Sequence, residues 1–248
     1  MRPVNRGPAP RDYESYEYAK QDLVNQLGSY CSYCERRIPT VLAVEHIQPK
    51  GLSQYAHLVN EWTNFLLSCV NCNSTKSCKP VELDSLLLPD RDNTFIVFSY
   101  SENGMVNVVP NLAPNIHALA MATCDLTALN RVTHPDWEET ILFSALERVG
   151  QRVQAWLQAR EAREDYEAGK DSARSVAHEA ASGGLFSIWM AAFAGIPEVR
   201  CEIIKAFPNT AIDCFDEETD PVYPRPPNGL RTRHKITCAP PSFLGLKV

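Results

Sequence analysis

The sequence has no run of about 18 apolar residues, so a membrane-spanning helix is not expected. Its opening stretch, MRPVNRGPAPRDYE, has no apolar core of the kind a secretory signal carries. No internal repeat is evident, and Ser187 has no nucleophile elbow around it, so an acyl-transfer triad is not supported. Positive charge is also short. Twenty-four Lys and Arg stand against 30 Asp and Glu, and a net charge of −6 argues against a protein that coats nucleic acid by charge alone. What remains is an ordinary soluble composition, 44% apolar and 22% charged, in 248 residues, enough for one large domain or two smaller ones.

Cysteine is plentiful, and four of the nine are patterned. Cys31/Cys34 and Cys69/Cys72 form two CxxC pairs with 34 residues between them. Each such pair is a tight turn that aims two sulfurs at one point, and two turns complete a tetrahedral zinc site with no open position. Isolated buried thiols do not account for the paired spacing, so the zinc is read as structural. Cys78 lies outside both turns. With Cys124, Cys201, Cys214 and Cys238 it is scattered, which fits reduced thiols in a cytoplasm better than a disulfide framework. A cytoplasmic location is expected.

The segment closed by the cysteines carries the polar chemistry: Glu45-His46, Trp62-Thr63-Asn64 and, directly after the last thiolate, Asn73 and Lys76. Around it, Tyr16, Ala19, Leu23 and Leu27 fall at helical spacing with Gly28 as a stop. This helix is expected to pack on the zinc module, behind an extended arm over 1–11. Leu42-Ala43-Val44 reads as a short strand that delivers Glu45 and His46 to its end. Phe65-Leu66-Leu67 makes a second strand into the Cys69/Cys72 turn, and Asn73-Ser74 can cap a helix after it.

This arrangement resembles the HNH endonucleases of the ββα-metal group: Glu-His, then Asn, then Cys-x-x-Cys-Asn-x-x-Lys, with CxxC at both ends. Glu45 stands where the family usually has Asp, and Asn73 where many members have His. The resemblance implies metal-dependent hydrolysis of phosphodiester bonds, with DNA ahead of RNA as substrate and a structured RNA such as tRNA still open. His46 would be the general base and Asn64 would hold the loop that aims it. Glu45 and Asn73 would hold a catalytic Mg²⁺ or Mn²⁺. Lys76, Lys50, Arg36 and Arg37 are the candidate nucleic-acid contacts. The layout from CSYCERR onward also resembles the HNH subunits of prokaryotic anti-phage systems, the Septu-type and retron-associated nucleases, which implies an ABC-like ATPase as partner. A stand-alone restriction-like HNH enzyme and a silent zinc-dependent binding module are the rival readings.

The fold class expected is α+β: a small zinc-stapled ββα-metal module, then a mainly helical region with a β-hairpin. Residues 1–80 form the nuclease module with its arm and helix, and residues 81–248 the remainder. Charge divides along the same line, with a balance of +2 in 1–80 and −8 in 81–248. Thr94–Tyr100 and Met105–Val109 flank an Asn103-Gly104 turn and read as the hairpin. Helices are expected over roughly 114–131, 135–168, 171–194 and 197–206, the third interrupted at Gly183-Gly184. Trp137, Ile141, Leu142, Ala145, Leu146, Val149, Val153 and Leu157 make a stripe along the second. The acidic balance and the apolar segment 185–193 suggest that 81–248 docks on another protein. A basic cluster at 231–235 reads as solvated surface.

Overall fold

A computed structural model describes residues 1–131 and 138–222. Trp137 and the 231–235 cluster lie outside the described residues. Among the described residues, seven helices and four short strands follow one another, with the strands paired in two antiparallel hairpins.

The first helix, α1 (Ala19–Leu27), follows a turn of tighter helix at Tyr16–Tyr18 whose start is capped by the Ser15 hydroxyl. It buries Ala19, Leu23 and Leu27, each four residues after the last, as one helical face requires. Gly28 ends it at φ +75°, and a Cβ there would lie 2.6 Å from the Tyr30 ring, so both backbone and space demand glycine. Strand β1 (Ala43–His46) then pairs with β2 (Phe65–Ser68), placing Glu45 opposite Leu66 and His46 opposite Phe65. Helix α2 (Val70–Lys76) follows directly, completing strand, strand and helix. Its start is earlier than Asn73: Asn73 N–H already bonds Cys69 carbonyl at 3.0 Å, because the second cysteine turn is itself the first turn of the helix.

The second hairpin joins β3 (Phe98–Tyr100) to β4 (Val106–Val108). Gly104 turns it at φ +78°, with its Cα pressed so close to α4 (Glu139–Glu167) that a Cβ would lie 2.5 Å from Val149 carbonyl. Arg152 of α4 donates to Gly104 carbonyl at 2.9 Å and to Leu129 carbonyl at 3.0 Å, tying hairpin, α3 (Pro114–Thr127) and α4 together. The face that α4 turns inward carries Ala145, Arg148, Arg152, Ala155, Ala159 and Ala162. Leu146 and Leu157 of the expected stripe point outward instead, because the small alanines allow a closer approach than leucine would.

Beyond α4, the expected long third helix divides into α5 (Ala173–Gly183) and α6 (Phe186–Ala192), followed by α7 (Pro197–Ala206). The break falls at Gly184, φ +81°, and Leu185, φ +59°. Phe186, Ile188, Trp189, Met190 and Phe193 are all buried among α4, α5 and α7. The apolar surface of this segment is consumed inside the fold.

The arm over 1–11 is extended but not loose. Met1 and Val4 are buried, Arg2 donates to Leu27 carbonyl at 2.7 Å and to Pro208 carbonyl at 2.8 Å, and Arg6 pairs with Asp90 at 3.2 Å. One apolar cluster contains Leu23, Phe65, Leu67, Val97, Val106, Cys124, Leu185 and Ile188, so the core continues across position 80. No described helix is long and apolar enough to cross a membrane.

Candidate active site and metal centre

Cys31, Cys34, Cys69 and Cys72 are buried, and their sulfurs all lie within 4.8 Å of one another, Cys34 and Cys69 at 3.7 Å. Four sulfurs bound tetrahedrally at about 2.3 Å to one zinc sit roughly 3.8 Å apart, so the donors fit that ion in kind, number and spacing. Mutual hydrogen bonding within the cluster, led by Cys31, lowers the Cys34 thiol to about 6 and pushes Cys69 further down. Cys78 is exposed and outside the cluster.

Four thiolates around a Zn²⁺ would leave a local charge of −2, and Arg36 is placed to answer it. Its Nε donates to the Cys34 sulfur and its Nη2 to the Cys69 sulfur, both at 3.4 Å, while Nη1 reaches Gln151 of α4 at 3.1 Å. Burial opposes the Arg36 charge, but the two sulfurs more than offset it and hold its pKa above the ordinary value. Arg36 was expected on nucleic acid. Its fork is turned onto the sulfurs instead, the partners that most need a cation. Arg37, next in sequence, is exposed.

The first cysteine turn is locked to the distant helices through Glu35, which sits at φ +63°. Its carboxylate accepts from Ser187 N–H at 3.0 Å and from Ser187 hydroxyl at 2.6 Å, and its backbone carbonyl accepts from Leu185 N–H at 2.9 Å. Gly184 passes so close that a Cβ would lie 2.7 Å from the Arg37 nitrogen.

Beside the cysteine cluster, a cavity of about 690 Å³ is lined by Tyr16, Glu45, His46, Lys50, Asn73 and Lys76, among others. His46, at the end of β1, is only 6% exposed and is held edge-on between two rings, Tyr16 at 4.8 Å and Phe65 at 5.3 Å between centroids. Its Nε2 lies 2.9 Å from Val59 carbonyl, which can only accept, so Nε2 carries the proton in the neutral ring and Nδ1 keeps its lone pair. Burial, followed by Lys50 and Lys76, lowers the His46 pKa, with the Val59 bond opposing. That direction favours the neutral ring.

Asn64 fixes the loop around it. Its Oδ1 accepts from Gln48 N–H at 2.8 Å, and its Nδ2 donates to Gln48 carbonyl at 3.0 Å and Leu58 carbonyl at 3.3 Å. One side chain thus spans both edges of the stretch that carries Val59.

Glu45 and Asn73 face the same cavity. Asn73, half-buried, makes no side-chain hydrogen bond among the described residues. Glu45 is 2% exposed, and its Oε1 accepts from Lys76 ammonium at 2.9 Å and from Tyr33 hydroxyl at 3.3 Å. Its Oε2 has no partner among the described residues. Burial raises the Glu45 pKa and Lys76 counters it. The second carboxylate oxygen of Glu45 and the Asn73 side-chain amide, both without a hydrogen-bond partner among the described residues and beside one cavity, fit a hard divalent cation in donor type. Lys76, expected at a phosphate, is 2% exposed and spent inside: besides Glu45 it donates to His46 carbonyl at 2.7 Å. Lys50 stays at the rim, with its ammonium 3.7 Å from the Tyr16 ring centroid.

Tyr16 is the site residue that sequence reasoning missed. It belongs to a helical pattern read only as packing, and nothing in its neighbourhood of the sequence marks it as facing His46.

Comparison with known proteins follows the same residues. Residues 31–79 match the family model described as HNH endonuclease. The chain is 32% identical over 93 residues to the Septu protein PtuB of Bacillus thuringiensis. That match covers 35% of this chain and 35% of the relative, so the chain spans about a third of the length of the curated relative it matches. Residues 31–79 are an HNH endonuclease domain with a four-cysteine centre.

Proposed function

We propose that this protein is a metal-dependent HNH endonuclease that hydrolyses phosphodiester bonds, DNA before RNA, as the nuclease of an anti-phage complex with an ABC-like ATPase. The observation that carries the chemistry is the orientation of His46. With Nε2 committed to Val59 carbonyl, Nδ1 is the nitrogen left to take the proton of an attacking water. Glu45 and Asn73 would hold a Mg²⁺ or Mn²⁺ beside it. Such an ion, when bound, stabilises the charge that builds on the phosphate and the leaving oxygen.

The chain's own residues do the rest. Asn64 fixes the loop that supplies Val59, and Tyr16 with Phe65 confines the ring, so the base enters the reaction already aimed. The zinc is structural, because its four thiolates leave no position for water or substrate. Lys50 and Arg37, both exposed, are the cations available to the nucleic-acid backbone. The ATPase partner follows from the resemblance to Septu-type subunits, and its docking falls to residues 81–248, whose acidic balance disfavours DNA.

Nicking of supercoiled plasmid tests the reading. The zinc-loaded protein, with its co-expressed ATPase, is expected to nick DNA only when Mg²⁺ or Mn²⁺ is added. Binding without cleavage under every metal tried would leave a zinc-dependent binding module.

A further inference from the structure

Lys76 is buried against Glu45 at the wall of the cavity, and its placement is specific. The ammonium is held from two sides, by Glu45 Oε1 at 2.9 Å and His46 carbonyl at 2.7 Å, in a residue 2% exposed. It cannot swing away to solvent as a surface lysine does. Tyr33 hydroxyl approaches the same Oε1 at 3.3 Å. Among the described residues, both hydrogen bonds that Glu45's carboxylate receives fall on Oε1, which leaves Oε2 for the cavity.

We propose that Lys76 is a positioning residue that makes Glu45 a one-oxygen ligand and thereby biases the centre toward Mg²⁺ and Mn²⁺ over Ca²⁺. This rests on the reading of Glu45 and Asn73 as holders of the divalent ion. The physical ground is the difference in what the cations require. Ca²⁺ takes six to eight oxygens and is well served by a bidentate carboxylate, whereas Mg²⁺ is satisfied by one or two single carboxylate oxygens with the remainder water. A carboxylate with one oxygen bonded to a buried ammonium cannot offer both. The Lys76 charge also weakens the binding of any cation, so the ratio of affinities, rather than either affinity alone, carries the proposal.

The test uses the full zinc-loaded chain and two probes, Mn²⁺ followed by its paramagnetic signal and Ca²⁺ by its displacement of Mn²⁺. Wild type is expected to bind Ca²⁺ more weakly than Mn²⁺. Lys76→Met is expected to narrow that gap by about tenfold or more, the range in which residues behind a metal ligand act. A folded, zinc-replete Lys76→Met with the wild-type ratio would overturn the proposal, because a lysine that only clamps α2 to β1 would not change it. Should Lys76→Met fail to fold, wild type still decides: Ca²⁺ binding as tight as Mn²⁺ refutes the bias. Glu45→Gln separates the two levels. If it leaves Mn²⁺ affinity intact, Glu45 is not a ligand and the functional reading of the centre falls with the Lys76 proposal. If it abolishes binding while Lys76→Met leaves the ratio unchanged, the Lys76 proposal fails alone.

Discussion

Asn64 pairs with Gln48 as one strand pairs with another: its amide oxygen takes the Gln48 N–H at 2.8 Å and its amide nitrogen gives to the Gln48 carbonyl at 3.0 Å. A third bond to Leu58 carbonyl at 3.3 Å lies one residue from Val59, the acceptor that orients His46. The asparagine therefore sits behind His46, holding the loop whose carbonyl orients its ring.

Asn64→Ala removes these bonds and leaves buried backbone groups short of partners. The expected cost is about 1–3 kcal/mol of stability, with a fall in cleavage rate and unchanged zinc content. Chemical denaturation, single-turnover cleavage and metal analysis read the three outcomes. Wild-type cleavage in a destabilised Asn64→Ala would show that the loop need not be fixed for His46 to act.

Arg36 yields a different prediction. Because it donates to the Cys34 and Cys69 sulfurs, Arg36→Met should weaken zinc retention by roughly 10–100-fold against a chelator, as loss of a residue behind the ligands does. It should leave the salt dependence of nucleic-acid binding as it was, since only the loss of a phosphate contact would lower that slope. Unchanged zinc release with a reduced salt slope would return Arg36 to the role first expected of it.

The cysteine assignment is checked by contrast. Cys69→Ser should lose the zinc and much of the cooperative melting transition, while Cys78→Ser, outside the cluster, should keep both. Elemental analysis and calorimetry distinguish them, and full zinc in Cys69→Ser would remove the tetrathiolate assignment.

Ser187→Ala tests the lock between the cysteine turn and the C-terminal helices. A hydrogen bond to a buried carboxylate is worth about 1.5–3 kcal/mol, which in a chain of this size lowers the melting temperature by roughly 5 °C. No shift would mean that the Glu35 carboxylate finds other partners.

Much of this was legible in the sequence. The CxxC spacing located the four-cysteine cluster, the Asn103-Gly104 pair located the hairpin, and α7 lies over the residues expected, 197–206. Gly183-Gly184 marked the break before α6. The direction in which charges point was not legible. Lys76 and Arg36 look like surface cations until the fold brings Glu45 to the one and the Cys69 sulfur to the other, each some 30 residues away in the chain. Arg2 and Arg6 are hidden for the same reason, capping carbonyls of α1 and β2 that no local pattern announces. On α4 the stripe of large residues misled, because alanine lines the inner face.

The central claim is that His46 acts in proton transfer and in nothing else, so His46→Ala with its partner present is the most direct measurement. General-base catalysis is worth about 10²–10⁴-fold, and plasmid cleavage should fall at least that far with zinc content and melting temperature near wild type. Added Mg²⁺ or Mn²⁺ should not restore it, since no ion replaces a missing base, whereas Asn73→Ala should recover partly at high metal. Full cleavage by His46→Ala would contradict the mechanism.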